Sequence, residues 1–174
     1  MNVQAAADSK LEQIARLCTE LGRVVERGAL QKLLEDCAAE LAASGLIVWL
    51  WDDLGDVLRP ALVHGYSDKV LARVPAVSRD ADNATAEAFR SSAPCEVAAA
   101  STDASGALVV PLLAADGCAG VLAIELQHGV GLTSSLRATA TTLAAALTQV
   151  VVRSRPVERE QTDEMVRPSV DRSA

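Results

Sequence analysis

Two apolar runs joined by an Asp-Gly turn, ALVVPLLAADGCAGVLAIEL at residues 107–126, constrain the fold more than any other part of the chain. Runs rich in Val, Leu and Ile on either side of Asp116-Gly117 predict a β-hairpin. Side chains alternate between the two faces of a strand, and here both alternating sets are apolar. A ribbon that is apolar on both faces must be covered on both. The sequence therefore predicts a sheet between two other layers.

Length and charge exclude several classes of protein. The 174 residues suit one domain with appendages, and the net charge is −7 with basic residues scattered. Such a chain offers no basic patch, so neither nucleic acid nor a membrane surface is expected as a partner. Pro111 and Asp116-Gly117 interrupt the longest apolar stretch as a membrane span. The absence of a signal-like apolar start and of a CxxC pair predicts a cytoplasmic protein with reduced thiols.

Three long helices are predicted around this hairpin. Ser9 and Glu12 form a capping-box pattern at the start of the first, and Ser44-Gly45 is a plausible end for the second. The last follows Gly131, with Thr133 or Ser134 as its cap. The first and last helices carry narrow apolar seams, which are Leu11, Ile14, Cys18, Leu21 and Val25, and Leu136, Ala140, Leu143, Leu147 and Val150.

The middle of the chain reads as strands and short helices. LIVWLW (46–51) and VLRPALVH (57–64) predict a second hairpin, in which Pro60 marks an edge strand or a bulge. A short helix or turn follows at 65–74, then a polar loop at 77–83, a helix at 84–91 capped by Asn83 or Asp82, and a short strand at 95–98. The predicted fold class is α+β, a three-layer α/β/α domain with a central five- or six-stranded antiparallel sheet.

Four stretches carry a resemblance to a known family: LLEDCAAELAASGLIVWLWDD, AFRSSAPCEV, the hairpin at 107–126 and the closing alanine-rich helix. In this order and spacing they resemble a GAF domain over residues 28–152. The resemblance implies terminal helices on one face of the sheet, a small-molecule pocket on the other, and a regulatory role. Residues 1–27 are then predicted as a dimerisation helix, and the charged, proline-broken 153–174 as a disordered tail or linker.

Candidate binding residues lie on one side of this arrangement. All the aromatic side chains, Trp49, Trp51, Tyr66 and Phe89, fall in the middle segment, where they either fill a core of small residues or line a ligand cavity. The resemblance makes the loop and helix start at 79–85 the roof of the pocket, although helix capping by Asn83 explains the same letters. The remaining predicted ligand-binding residues are His64, Arg79, Asp80, Asn83, Thr85 and Cys95.

No catalytic or cofactor motif accompanies these residues. The two histidines and four cysteines are scattered, which disfavours a metal or haem site, and Lys69 replaces the second glycine of a nucleophile elbow in HGYSD. Bilin-binding GAF domains attach the pigment through Cys-His, but here the cysteines precede Thr19, Ala38, Glu96 and Ala119. The signatures of cyclic-nucleotide-binding members and of free methionine sulfoxide reductases are also missing. We expect no cofactor and no metal.

These observations predict a non-catalytic sensory or regulatory domain that binds a small molecule. The two seams predict a homodimer whose helices form a bundle and pass the signal to a downstream domain or protein. Two alternatives stay open. One is a ligand-free dimerisation or protein-interaction module, and the other is an enzyme resembling free methionine sulfoxide reductase, in which Cys95 would be the redox thiol.

Overall fold

The structure, a computed structural model, describes residues 3–99, 101 and 104–154. Five helices and six strands lie within these residues. The helices are α1 (Val3–Arg23), α2 (Arg27–Glu40), α3 (Asp68–Leu71), α4 (Ala84–Ser91) and α5 (Ser134–Ser154); the strands are β1 (Ala43–Asp52), β2 (Val57–His64), β3 (Val77–Ser78), β4 (Cys95–Val97), β5 (Ala107–Ala114) and β6 (Gly117–Leu126).

The strands form one antiparallel sheet in the order β3-β2-β1-β6-β5-β4. Both predicted hairpins are present, and β1 joins them by pairing with β6. The register of β1 and β2 shifts between Val48 and Trp49, opposite Pro60, and β3 extends only along Val57 and Leu58. Proline lacks an N–H for the ladder, so it occupies both a bulge and an edge position. The predicted fold class is confirmed, with six strands in the described residues.

Alternation along the strands divides the buried side chains into two cores. Leu46 and Val48 on β1 point towards the long helices, together with Leu122 and Ile124 on β6. We call this cluster, which includes residues of α1, α2 and α5, the helix-side core. The tryptophan-side core lies on the opposite face and contains Ile47, Trp49, Leu58, Ala88, Phe89, Val109 and Val121.

Three helices cover the first face. α5 packs across β5 and β6, α2 packs across β1 and β2, and α1 contacts both helices. The C-terminal turns of α1 and α5 lie together, because the Arg153 guanidinium donates to the carbonyl oxygens of Gly22 (2.7 Å) and Leu21 (3.3 Å). These carbonyls have no partner within their own helix, so Arg153 acts as a cap supplied by another element.

The second face is covered less evenly. α4 packs over β4, β5 and β6, with Ala86, Ala88 and Phe89 buried. The residues that precede it, 66–77, include α3 and are the cover segment of this face; none of them is buried. The three-layer arrangement is therefore present, but one outer layer is much thinner than the other.

Three predicted boundaries were wrong. α1 begins at Val3, so Ser9 lies inside the helix and is not its cap. α2 ends at Glu40, where the chain turns through Ala42 with a positive φ of 47°, and Gly45 belongs to β1. The predicted polar loop at 77–83 begins with the short strand β3. α1 thus starts before its capping signal, and α2 stops before its glycine because Ala43 and Gly45 pair with β6 in the sheet.

Most of the apolar seam residues are buried within this chain, whereas the sequence predicted that they contact a second subunit. Six of the ten seam residues are buried in the chain's own helix-side core: Leu21, Leu136, Ala140, Leu143, Leu147 and Val150. Ile14 and Cys18 are half-buried, whereas Leu11 is 67% exposed and Val25 is 95% exposed. The six buried residues are therefore not available as a contact surface for a second subunit. Periodicity identified which side of each helix is covered, but not what covers it.

The ends of the chain are only partly described. α5 includes Arg153 and Ser154, and the rest of the predicted tail, like Met1 and Asn2, lies outside the described residues. Among the helices that the structure describes, none combines the length and the apolar character needed to cross a membrane.

Two Leu→Ala substitutions within the predicted seams distinguish core from surface. Leu143→Ala removes a side chain with no exposed area and should lower the free energy of unfolding by about 2–5 kcal/mol. Leu11→Ala, at a position exposed in the isolated chain, should change the free energy of unfolding of the monomer by less than about 0.5 kcal/mol. Urea denaturation at two protein concentrations measures both. A loss for Leu143→Ala that grew on dilution would contradict the assignment to the intramolecular core.

Candidate ligand-binding site

The aromatic side chains meet on the tryptophan side of the sheet. Trp49 and Phe89 are only 5% and 8% exposed, and Trp51 stacks on Phe89 with ring centroids 4.6 Å apart and 25° between the planes. Trp49 and Trp51 share this face because they are two residues apart on β1, while α4 supplies Phe89 from above. Trp49 and Phe89 thus lie in the tryptophan-side core, and Trp51 and Tyr66 pack against it.

Tyr66 closes one end of this face through a contact that requires two glycines. The chain leaves β2 through Gly65, whose φ of +85° suits glycine and where a Cβ would lie 2.1 Å from the Ser44 carbonyl oxygen. The Tyr66 ring then lies directly over Gly45, where a Cβ would approach the ring to 2.5 Å. Its hydroxyl donates to Glu125 Oε2 on β6 at 2.8 Å. The ring is thereby fixed across β1.

Burial of the ring raises the pKa of the Tyr66 hydroxyl far above its ordinary value, and the hydrogen bond to the Glu125 carboxylate raises it further. A negative phenolate would be both poorly solvated and next to another negative charge. Tyr66 therefore remains a neutral donor throughout the physiological pH range. No local sequence pattern indicates this pair, because Tyr66 and Glu125 are 59 positions apart.

The loop predicted to roof the pocket is held by a residue that the sequence analysis did not single out. The Arg90 guanidinium donates to the carbonyl oxygens of Arg79 (2.6 Å) and Ala81 (3.1 Å) and pairs with Glu87. The side chains of Arg79 and Asp80 are exposed. The loop is therefore ordered through its backbone, and these two side chains are not part of the aromatic cluster.

Asn83 has the capping role that was one of its two predicted explanations. Its Oδ1 accepts from the N–H of Ala86 at 2.9 Å, which satisfies one of the free donors at the start of α4. Thr85, in the first turn, is half-buried. The cap accounts for the Asn83 side chain without a ligand.

His64 lies on the wrong face for the role predicted for it. It pairs with Leu46, whose side chain belongs to the helix-side core, whereas its neighbour Val63 packs against the tryptophan-side core. Strand alternation therefore directs His64 away from Trp49 and Trp51. Its position after an apolar strand suggested a pocket mouth, but the one-residue offset decides the face.

The cysteines are free thiols at separate places. Cys95 and Cys118 pack against the tryptophan-side core, and Cys37 is buried among the long helices, where burial raises the pKa of its thiol to about 12. Burial also raises the pKa of Cys118, whose thiol donates to the Gly120 carbonyl at 3.1 Å. Within the described residues no three His, Cys, Asp or Glu side chains are grouped so that they could hold a metal ion.

A separate cleft of about 400 Å³ lies between residues 97–99, 101, 104 and 106 on one side and 129–132 on the other. Apart from Ser101 it is lined by glycines and aliphatic residues, and none of the predicted binding residues lines it. The tryptophan side combines aromatic walls with a thin cover, as described above, and is the better candidate for a small-molecule site.

Comparison with solved structures shows which family has this architecture. The second GAF domain of DevS from Mycobacterium smegmatis is 30% identical over 67% of this chain and 88% of that chain, with a TM-score of 0.55. This chain belongs to the GAF domain family. A scan against family models and a search of curated proteins found no match.

Two further structures share the GAF fold at lower sequence identity. The GAF domain from Acinetobacter phosphoenolpyruvate-protein phosphotransferase has a TM-score of 0.70 and 14% identity, covering 83% of this chain and 94% of that one. The free methionine-R-sulfoxide reductase from Neisseria meningitidis, solved with its substrate, has a TM-score of 0.69 and 16% identity, covering 88% and 93%. The fold is thus similar to that of a GAF domain of a phosphotransferase and to that of a reductase.

The single tyrosine of this GAF domain makes the Tyr66 environment measurable. Phenolate absorbance at 295 nm should stay absent as the pH passes about 10, where a free tyrosine ionises, and should appear there once urea unfolds the chain. Because the folded pKa is raised, the stability that Tyr66 contributes is complete below about pH 10 and is lost as the pH rises towards the folded value.

Two variants test the causes of this shift. Glu125→Gln removes the negative neighbour and should bring the ionisation of Tyr66 to lower pH, though not to that of free tyrosine because burial remains. Tyr66→Phe should abolish the absorbance change and the associated loss of stability above pH 10. Ionisation of the native wild-type protein near pH 10 would contradict the contact.

Proposed function

We propose that this chain is a non-catalytic sensory or regulatory GAF domain that binds a small molecule on the tryptophan side of the sheet and signals through a helical homodimer interface. The observation that supports the proposal is the difference between the layers that cover the two faces of the sheet. The helix side is closed by three packed helices, whereas the tryptophan side is closed partly by residues 66–77, none of which is buried. Segments with few buried contacts open at low free-energy cost.

The ligand would reach the aromatic residues by displacing the middle of this cover segment, between Tyr66, which is bonded to Glu125, and Val77, which pairs with Leu58 in the sheet. In this part Val74 is a partly buried contact with the tryptophan-side core, and Val70 is 47% exposed. Its removal would uncover part of the tryptophan-side core without disturbing the helix-side core. A ligand that replaces these contacts with better ones stabilises the open arrangement by its differential affinity.

An ion pair connects β4, beside the tryptophan-side core, with α5. Cys95 packs against the tryptophan-side core, and its neighbour Glu96 forms two hydrogen bonds with the Arg137 guanidinium on the first turns of α5, one of them 3.1 Å between Nη2 and Oε2. The Arg137 guanidinium holds the pKa of Glu96 below its usual value. A shift of β4 would therefore act on α5 through a bidentate ion pair.

The homodimer would use helical residues that the chain leaves exposed. On α1 these are Leu11, Ala15 and Gly22, with Val25 just after the helix; on α5 they are Ala138, Thr142, Ala145 and Val152. Their spacings of three, four and seven place each set along one side of its helix, and the small side chains permit a close helix–helix approach. This surface replaces the buried seam as the proposed interface.

A ligand-free interaction module is the first rival function. It is favoured by the degree to which the chain's own side chains already fill the tryptophan side, where Leu58, Ala88 and Val121 have no exposed area. In that case the aromatic residues serve only as core, and the helices alone carry the function.

The reductase alternative gains support from the shared fold but not from the cysteines. Cys95 pairs with Val109 and Cys118 with Leu113, on opposite sides of β5. Four residues along a strand span about 13 Å, so these thiols are too far apart for a disulfide, whose Cα atoms are at most about 7 Å apart. A reductase would have to act through Cys95 alone, and Cys95→Ser should then abolish turnover of free methionine-R-sulfoxide.

The ligand can be sought directly. Native mass spectrometry of the purified protein should reveal a co-purified small molecule, and titration with a metabolite panel should change the fluorescence of Trp49 and Trp51, because they are the only fluorescent indoles. Trp51→Phe serves to assign the response. Absence of both a bound species and a fluorescence response would favour the ligand-free module.

The dimer interface is tested by a matched pair of substitutions. Leu11→Glu places a charge on the proposed helical surface and should convert the dimer to a monomer in analytical ultracentrifugation. Leu54→Glu makes the same change at a fully exposed position in the β1–β2 turn and should leave the dimer intact. Since neither leucine is buried, both variants should keep the wild-type unfolding midpoint at protein concentrations low enough for the wild type to be monomeric. An unchanged dimer for Leu11→Glu would rule out this surface.

A further inference from the structure

The indole N–H of Trp49 lacks a hydrogen-bond partner although the residue is 95% buried, being only 5% exposed. It is the one buried side-chain nitrogen or oxygen without a partner among the residues that the structure describes. An indole N–H can only donate, and about nine in ten buried polar groups are paired. A buried donor without a partner lowers the free energy of unfolding, because it loses its hydrogen bonds to water and gains none within the protein.

The neighbouring residues explain why the chain does not satisfy this donor itself. Trp49 pairs with Pro60 on one side and Val121 on the other, and both have apolar side chains. Across the described residues the buried polar side chains are Thr139 and Thr148, which lie on α5, on the other side of the sheet. Both threonine hydroxyls donate to carbonyl oxygens within their own helix. No side-chain acceptor is therefore supplied by the fold.

Charge further limits what could supply an acceptor. No charged side chain is buried in the part of the chain that the structure describes. A ligand that carried a charge into the tryptophan side would lose its hydration without meeting a counter-charge. The aromatic rings of Trp49, Trp51 and Phe89 instead provide flat apolar walls, which suit an aromatic or similarly flat molecule.

We infer that the ligand of the proposed site is an uncharged, largely apolar, flat molecule with a carbonyl or ring-nitrogen acceptor that accepts the Trp49 indole N–H. This inference rests on the proposed function and specifies the ligand class for it. Trp49 is then the specificity-determining residue, because its indole N–H binds a ligand that places an acceptor there and disfavours one that places a donor there. Trp51, stacked on Phe89, contributes apolar contact only.

The unpaired donor gives an acceptor-bearing ligand an advantage. In the structure the N–H is shielded from water and unsatisfied. A ligand that brings an acceptor to it restores the lost hydrogen bond. An apolar ligand without an acceptor gains the same ring contacts but leaves the donor unpaired. Discrimination between two such ligands should therefore depend on one hydrogen bond.

Two probes of similar size isolate this bond. Acetophenone has a planar ring and a carbonyl acceptor, and ethylbenzene replaces the carbonyl with a methylene. In ¹H–¹⁵N spectra the chain gives two indole signals, from Trp49 and Trp51, which Trp51→Phe assigns. Acetophenone should move the Trp49 indole proton downfield, and ethylbenzene should not. This measurement uses the wild-type protein and does not depend on the stability of a variant.

Trp49→Phe supplies the matched change in the protein. It keeps a ring but removes the N–H, and it should weaken acetophenone binding about five- to tenfold, the factor that one hydrogen bond contributes. Ethylbenzene binding should change much less, and Trp51→Phe should not reproduce the selective loss. Equal effects of Trp49→Phe on both probes would overturn the inference.

The remaining outcomes are equally decisive. Tighter binding of benzoate than of acetophenone would overturn the uncharged class, and binding of neither aromatic probe up to its solubility limit would overturn the inference as a whole. Native mass spectrometry separates these failures from failure of the proposed function. A co-purified molecule that binds without shifting the Trp49 indole proton would leave the sensor function standing and remove the assigned role of Trp49.

Discussion

A sheet that is apolar on both faces determines most of this structure. Both faces of the β5–β6 hairpin carry rows of valine and leucine side chains. Burying one side chain of this size stabilises the folded state by about 1.5–3 kcal/mol. The chain meets this requirement with segments from both ends. α1, α2 and α5 close one face, while α4 and the cover segment close the other. The order of elements follows from the need for two covers.

The two covers differ in a way that suits separate tasks. On the helix side, Leu17, Leu34, Leu143 and Leu147 are almost completely excluded from solvent, which gives the sheet a rigid support. On the tryptophan side, large rings are enclosed by a segment with no buried residue of its own. Binding sites are commonly built where a mobile segment meets a rigid scaffold. The fold thus covers one face with three packed helices and the other with one short helix and a segment that has no buried residue.

The sequence predicted the layers better than it predicted the contacts. Apolar alternation on both sides of Asp116-Gly117 was sufficient for a sandwiched sheet, and the bulge at Pro60 followed from the missing N–H. The seam on α5 was misassigned because helical period reveals a buried side but not its partner. The face on which His64 lies could not be predicted for a similar reason, because a strand assigned without its register does not show which face each side chain occupies. The contacts Tyr66–Glu125 and Arg90–Arg79 join distant or irregular segments, for which local patterns carry no signal.

The hydrogen bonds of Arg153 join the C-terminal ends of α1 and α5. Its guanidinium also donates to the Gln149 carbonyl of its own helix, so a single side chain bonds the final turns of two helices. Neither helix can slide along the other by a turn without breaking these bonds. A small rotation of α5 that keeps these bonds would therefore carry the end of α1 with it.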